Sequence, residues 1–556
     1  MSDPKLEHLN PEQRRAVLAT EGPLLILAGA GAGKTKTLTE RIRHLIHKGV
    51  EPSSILAITF TNKAAKEMRE RLEKMLREDK DLNRPVSTGE RPFTSTFHSL
   101  GVHILREHAG KIGFKKHFAI FDRDDSKRAV KEALEVCGLD PKVHDPNRIL
   151  SIISKEKGRG TTMKSYSEEA EAERHFNIVE QVWREYEKIL ARDNALDFDD
   201  LLLKTRNLLR DDAEVRAFYQ KRWRYIHIDE YQDTNKVQYE ISRLLVGEGD
   251  NICVVGDADQ NIYSWRGADL NNILAFEKDY KGAQLVTLEE NYRSTKNILD
   301  AANAVIKKNK IRLEKNLVTS NAQGETLKIF QGYDEMSEAE FVATKAKELI
   351  EAGILPEEIA VLYRANFQSR ALEESFLRHD VPYQLLGTKF FARREVKDII
   401  SYLRAALDES CLSDIKRVVN VPRRGIGKVT IAKWFSGDES VLTGSTGAKI
   451  ASFKKILAKI RKATEEMKPS EVILFIIKES GLEEEWKESK RDEDLSRLEN
   501  AYELANFASR YDQQEEEALL KFLSDAALQS DQDEMKEEVS SVRLMTVHAS
   551  KGLEFD

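Results

Sequence analysis

Apolar residues recur along this chain in short unbroken runs, each ending in a polar signature and followed by a long amphipathic stretch. Leu24-Leu25-Ile26-Leu27, Ile55-Leu56-Ala57-Ile58, Tyr225-Ile226-His227-Ile228 and Ile252-Cys253-Val254-Val255 are such runs. They predict buried strands, and the stretches between them predict helices. This βαβ rhythm points to a mostly parallel sheet covered by helices, with ligands at the carboxyl ends of its strands. Between about Leu100 and Ala195 the strand runs vanish, which predicts an inserted domain of helices alone. Strand runs resume near Arg222. A further set, Leu285-Val286-Thr287-Leu288, Ile359 to Tyr363 and Val542 to Val547, predicts a second α/β lobe interrupted by a helical stretch from roughly 390 to 540. A loop is expected from Ser436 to Gly447. The acidic stretch from Asp512 to Glu538 keeps helical apolar spacing at Ala518-Leu519-Leu520 and Phe522-Leu523, which favours a solvated helix face.

Length and composition narrow the picture. The 556 residues are too many for one core, since single cores rarely exceed roughly 250 to 300 residues. No run of about 18 apolar residues occurs and the first residues carry no signal pattern, so a cytoplasmic protein with no membrane association is expected. Cys137, Cys253 and Cys411 lack the paired spacing of a zinc site or disulfide framework. With a net charge of -7, a grip on nucleic acid has to be local and not a coating of bulk positive charge.

Two motifs carry nucleotide chemistry. Ala28-Gly29-Ala30-Gly31-Ala32-Gly33-Lys34-Thr35 follows a strand and opens an amphipathic helix, the context of a phosphate-binding loop. Lys34 would supply a cation for phosphate oxygens and Thr35 a hydroxyl for Mg²⁺. A Gly-rich turn without a ligand is the bland alternative. Asp229 and Glu230 end the strand run at Ile228, placing a metal-holding carboxylate beside a candidate general base. Adjacent acids after a strand also serve as plain helix caps. Together the two motifs would suit a nucleotide kinase or a small GTPase equally well.

The remaining motifs decide against both. Asp229-Glu230-Tyr231-Gln232-Asp233, Asp197 to Leu202 and Val255 to Ala268, which contains Gln260, Tyr263, Trp265 and Arg266, resemble blocks of UvrD/Rep/PcrA-type superfamily 1 DNA helicases. So do Leu9 to Gln13, Ile58 to Ala65, Thr96 to Ser99, Leu288 to Thr295, Val361 to Arg370, Phe390 to Asp398, Val421 to Gly427 and Val547 to Phe555, in the family's order. Tyr263, Trp265 and Arg266 offer flat faces and a cation on which bases can stack, although Tyr263 would equally suit an ordinary core. Arg423 or Arg424, beside a tight glycine turn, can approach duplex phosphates, or the turn is simply a basic turn on a helical domain.

The resemblance implies two RecA-like parallel-sheet lobes of P-loop NTPase type, each with a helical insertion. Its boundaries are 1–95 and 199–288 for the first lobe around an insertion at 96–198, then 289–389 and 541–556 for the second around a mobile insertion at 390–540. It implies ATP and Mg²⁺ as ligands, with Lys34, Asp229, Glu230, Gln260 and Arg293 catalytic and Thr35 and Asp229 on the metal. Gln13, residues Ala28, Gly29, Ala30, Gly31, Ala32, Gly33, Lys34, Thr35 and Lys36, and Tyr292, Arg293 and Glu554 would hold the nucleotide. Phe60, Thr61, Asn62, Thr96, His98, Tyr263, Trp265, Arg266, Arg364, Asn366, Arg424, Gly425, Gly427 and His548 would touch DNA. The implied activity is 3′-to-5′ movement on single-stranded DNA and at single-strand/duplex junctions, alongside repair or replication proteins. Two departures stand out. Lys36 occupies a position where the family usually has arginine, and the chain stops at Asp556 inside the last block, which is expected to be a truncation. A DNA-binding module that holds ATP but hydrolyses it poorly is therefore the alternative.

Overall fold

The computed structural model describes residues 6–79, 91–172, 178–310, 312–386, 390–435, 443–489, 491–513, 517–528 and 540–556. Residues 436–442 of the expected loop lie outside them and Gly444 to Gly447 open the helix Gly444–Glu466; of the acidic stretch, 514–516 and 529–538 lie outside them and Ala518–Leu528 is a helix. Eleven strands are present among the described residues: β1 (Leu24–Ala28), β2 (Ile55–Thr59), β3 (Phe93–Thr96), β4 (Ala119–Phe121), β5 (Ala195–Asp197), β6 (Tyr225–Ile228), β7 (Ile252–Gly256), β8 (Gln284–Leu288), β9 (Ala360–Tyr363), β10 (Tyr383–Leu385) and β11 (Val542–Thr546). Six of them form one parallel sheet in the order β3-β2-β6-β7-β1-β8. Its central strands are largely apolar because helices cover both faces, with His227 in β6 and Thr59 in β2 as polar exceptions, and β1, β2, β6 and β7 are buried at every position.

Three strands, in the order β10-β11-β9, form a second parallel sheet. The run Leu285 to Leu288, grouped above with the later strand runs although the boundary at 288 leaves it in the first lobe, belongs to the first sheet. It lies beside β1 with Leu24 opposite Gln284 and Ala28 opposite Leu288. A strand run shows its own burial and not which sheet it joins. The first insertion also departs from the all-helical expectation, since β4 and β5 pair in parallel within it. Ala119-Ile120-Phe121 is too short a run to stand out from the helical spacing around it.

Each insertion has its own core. Trp183, Tyr186, Val130 and Leu134 anchor the first, and Tyr402, Phe453, Ile473 and Ile476 the second. The two meet across an ionic seam. Arg404 pairs with Asp125 at 3.3 Å and with Asp414 at 2.6 Å, and Lys397 reaches Asp122 and Asp124, each at 2.7 Å. Asp193, buried in the first insertion, accepts the backbone N–H groups of Leu412 and Ser413 at the start of helix Leu412–Val418.

Arg404 is largely out of water, between carboxylates still more deeply buried. Removing one member of such a set strands the remaining charges, at a cost of roughly 3 to 5 kcal/mol. Arg404→Met is therefore expected to lower the unfolding midpoint of the insertions in a denaturant titration, whereas a midpoint equal to that of the parent would show that the seam does not stabilise the fold.

Candidate nucleotide site and nucleic-acid interface

The loop after β1 carries the first set of functional side chains. Gly31 at φ +68° and Gly33 at φ +80° occupy the left-handed region, which a side chain rarely tolerates. A Cβ on Gly31 would also meet Asn291 and Arg293. Ala28, where the general loop pattern has glycine, is the last residue of β1 and is buried in the sheet. Lys34 and Thr35 open helix Lys34–His47, so the loop N–H groups and the helix N-terminus face one point.

β6 delivers the acids to that point. Thr35 Oγ1 donates to Asp229 Oδ2 at 3.3 Å, and Lys34 Nζ lies 3.0 Å from Gln260 Oε1 and 3.2 Å from Glu230 Oε1. Burial lowers the proton affinity of Lys34, but Glu230, Asp229 and Asp257 outweigh it and hold its pKa above the usual lysine range. Burial, with Glu230 alongside, pushes Asp229 up to about 6 in spite of Lys34. Burial acts the same way on Glu230, yet Lys34 and Lys551 prevail and keep it below the ordinary carboxylate range. Glu230 also has φ +52°, a conformation costing a non-glycine residue on the order of 1 to 3 kcal/mol that is concentrated at functional sites. Gln232 Nε2 donates to Glu230 Oε2 at 2.6 Å and fixes the carboxylate's direction. Among the described residues no three His, Cys, Asp or Glu side chains converge as a metal cage. Thr35 and Asp229 fit a Mg²⁺ ion that keeps several waters and takes phosphate oxygens as its other ligands.

The expected base-binding residues also come together. Asn10 Nδ2 donates to Tyr292 Oη at 2.8 Å, and Tyr292 Oη donates to Glu290 Oε2 at 2.6 Å. The Gln13 amide is engaged at both ends, accepting from Asn10 N at 3.2 Å and donating to Ala32 O at 3.1 Å. Its side chain thus ties helix Pro11–Leu18 to the phosphate loop. Lys36 Nζ lies 3.4 Å from His8 O. Arg293 and Glu554, both expected on the nucleotide, form an ion pair with each other.

Sequence reasoning missed three contributors to this site. Lys551 Nζ donates to Asp233 Oδ2 and, at 2.7 Å, to Gln260 O, and lies 5.2 Å from the Tyr263 ring centroid. Asp257 joins Gln260 to Gln232, accepting from Gln260 Nε2 at 2.6 Å and donating its N–H to Gln232 Oε1 at 2.9 Å. Lys315 is buried against Asp257 and Asp259. The motif around His548 marked Lys551, but nothing marks Lys315 in the polar stretch after Ile306.

On the other side of the same strand ends lies a cavity of about 940 Å³. Phe60, Thr61, Asn62, Thr96, His98, Tyr263, Trp265, Arg266, Arg364, Asn366 and His548 all line it. Phe60 and Tyr263 stack at 4.9 Å, and Arg266 lies 4.7 Å from the Trp265 ring centroid. Trp265 is 64% exposed whereas Tyr263 is 5% exposed, so the open stacking face belongs to Trp265. Tyr263 is built into the wall, where its hydroxyl donates to His548 O at 3.1 Å. Burial pushes the His98 imidazole down to about 4, leaving it neutral at physiological pH. Asn62 donates to Leu528 O at 2.8 Å.

The turn at Val421–Gly427 stands apart from this cavity, and the expectation for Arg424 is corrected. Its guanidinium donates to the carbonyls of Val418, Val419, Val421, Pro422 and Ser480 and lies over the rings of Tyr402 and Phe453. Such an inward-facing guanidinium holds the turn together and is not available to a phosphate. Arg423, Gly425 and Gly427 are the exposed members of the turn.

Comparison with known proteins agrees with this geometry. The family model of the UvrD/REP helicase N-terminal domain matches residues 9–281, and that of the UvrD-like helicase C-terminal domain matches residues 286–556. The ATP-dependent DNA helicase PcrA of Staphylococcus aureus is 41% identical over 570 residues, covering 99% of this chain and 77% of the relative. The protein of the same name from Staphylococcus epidermidis matches to the same extent. With both halves matched, and with the phosphate loop, the acidic strand end and the aromatic cavity assembled around one sheet edge, the chain belongs to the UvrD/REP helicase family.

Proposed function

We propose that this chain is an ATP-dependent DNA helicase that moves 3′ to 5′ along single-stranded DNA and opens duplex at the junction. One short segment reaches the phosphate loop at one end and lines the aromatic cavity at the other, and this observation carries the proposal. Gln260 touches Lys34 at the phosphate loop, and Tyr263, Trp265 and Arg266 line the cavity a few residues later. A nucleotide kinase or GTPase has no use for that aromatic wall. The alternative of a DNA-binding module with poor turnover is not favoured, because Lys34, Glu230 and Gln260 already stand in contact.

In this reading Thr35 and Asp229 would hold a Mg²⁺ ion, which would supply charge neutralisation to the phosphates. Glu230, kept ionised by Lys34 and Lys551 and aimed by Gln232, accepts the proton of the attacking water. Lys34 remains cationic and neutralises phosphate charge. Arg293 leaves Glu554 for the γ-phosphate, acting as an arginine finger in cis. Bases stack on Trp265, while Asn62, Thr96, Arg364 and Asn366 hold the strand from the two lobes. The exposed glycine turn meets duplex phosphates through the N–H groups of Gly425 and Gly427 and through Arg423. Partners would be repair or replication proteins working at single-strand/duplex junctions. Among the described residues no helix is long and apolar enough to cross a membrane.

Steady-state ATP hydrolysis with and without single-stranded DNA, with Lys34→Ala as the blank, tests the motor itself. DNA-stimulated turnover above the blank is expected, and turnover at the blank level would overturn the reading. Glu230→Gln should bind ATP normally yet lose about 10²- to 10⁴-fold in turnover, measured as phosphate release. Trp265→Ala should weaken single-strand binding by about 1 to 3 kcal/mol in a fluorescence titration, with ATP affinity unchanged. Equal DNA affinity would remove the stacking role. Displacement of an oligonucleotide beside a 3′ overhang, but not beside a 5′ overhang, is the expected polarity.

A further inference from the structure

Beyond the residues that touch nucleotide in this reading, the structure contains a buried ammonium with no part in binding either ligand. Lys315 Nζ is 3% exposed and pairs with Asp257 Oδ1 and, at 2.7 Å, with Asp259 Oδ2; these carboxylates are 4% and 7% exposed. Arg312 adds a contact to Asp259 at 3.2 Å. Burying such charges is costly unless they are paired, so the segment that carries Lys315 is held in register. Asn316 N donates to Glu289 Oε1, and Asn291 N donates to Val318 O at 2.7 Å. The same pairing places Tyr292 and Arg293, the next residues after Asn291, over the phosphate loop.

We propose that Lys315 is a positioning residue for ATP hydrolysis, fixing Asp257 so that this carboxylate holds Gln260 on Lys34 while its N–H group holds Gln232 on Glu230. The inference rests on the hydrolytic reading of the site given above. Asp257 Oδ2 accepts from Gln260 Nε2, which leaves Gln260 Oε1 turned toward Lys34; the Asp257 N–H donates to Gln232 Oε1, which leaves Gln232 Nε2 turned toward Glu230. The ion pair thereby sets the carboxylate that orients the Gln260 amide, while the Asp257 backbone N–H orients the Gln232 amide; either amide otherwise has two nearly isosteric settings. Without Lys315 the carboxylates of Asp257 and Asp259 repel, the Asp257 carboxylate turns, and the Gln260 amide loses its direction. Lys315 touches neither substrate nor base and acts only through Asp257.

The test is a double-mutant cycle of Lys315→Met and Gln260→Ala, read on the ratio of affinities for ATPγS and ADP in fluorescence titrations. Lys315→Met should lower that ratio about tenfold, the scale of losing a supporting contact behind a functional group, through ATPγS and not ADP. The double variant should show no further loss beyond Gln260→Ala alone, because residues acting through one another are non-additive. Lys315→Arg should restore the ratio. In DNA-stimulated turnover, kcat should fall and KM for ATP should rise with the loss of ATPγS affinity. An unchanged ratio, or additive losses in the cycle, would overturn the proposal. Should Lys315→Met fail to fold, Lys315→Gln serves in its place. The binding cycle stands by itself, so a parent chain without turnover would count against the hydrolytic reading and not against the position of Lys315.

Discussion

Lys34 sits almost out of water among the carboxylates of Glu230, Asp229 and Asp257, and the rest of the site follows from keeping that assembly neutral. A parallel sheet places its strand ends along one edge, so β1, β6 and β7 bring a cation and several anions within a few ångströms. Unpaired, each buried charge would cost several kcal/mol. The pairing is shared between distant parts of the chain: Lys551 meets Asp233, Lys315 meets Asp257 and Asp259, and Lys34 meets Glu230. Two of those cations come from the C-terminal half. The electrostatics that make the phosphate site habitable therefore also draw the second half of the chain against the first.

The same logic separates the two faces of the strand ends. On the phosphate side the groups are charged and buried; on the cavity side they are aromatic and partly open. Tyr263 belongs to both, since Lys551 lies over its ring while Phe60 stacks against it. A net charge of -7 is compatible with DNA binding because stacking on exposed rings does not depend on bulk charge. Arg266 and Arg364 line the cavity, and His548 stands beside them with its pKa lowered by burial and by those two arginines.

How much of this could be read from the chain depended on the range of each interaction. The runs at Leu24, Ile55, Tyr225 and Ile252 announced strands because burial on both faces forces continuous apolarity. The phosphate loop and acid pair announced themselves because glycine curvature and adjacent carboxylates are local patterns. Long-range partnership left no such mark. Nothing in Leu285 to Leu288 says that it lies beside β1, and nothing in Arg424 distinguishes a guanidinium that caps its own turn from one that meets phosphate. Lys315 looks like any solvated lysine until the fold brings Asp257 and Asp259 to it. Ala119 to Phe121 escaped notice because three residues cannot establish a period.

Transmission between the two faces then comes down to slack in one segment. Ala258–Gln260 and Ser264–Arg266 are single 3₁₀ turns, closed by Gln260 N to Asp257 O at 2.9 Å and Arg266 N to Tyr263 O at 2.8 Å. Only Asn261 and Ile262 lie between Gln260 and Tyr263. Asn261 is itself tied down, donating to Gln232 O at 2.7 Å, and Gln232 is the residue that aims Glu230. In the proposed mechanism, a displacement of the Gln260 side chain by phosphate would have no loose backbone in which to dissipate before it reached the aromatic wall. Stepping requires that change at the nucleotide be felt at the base, and a tethered connection of this length meets the requirement without any longer pathway through the protein.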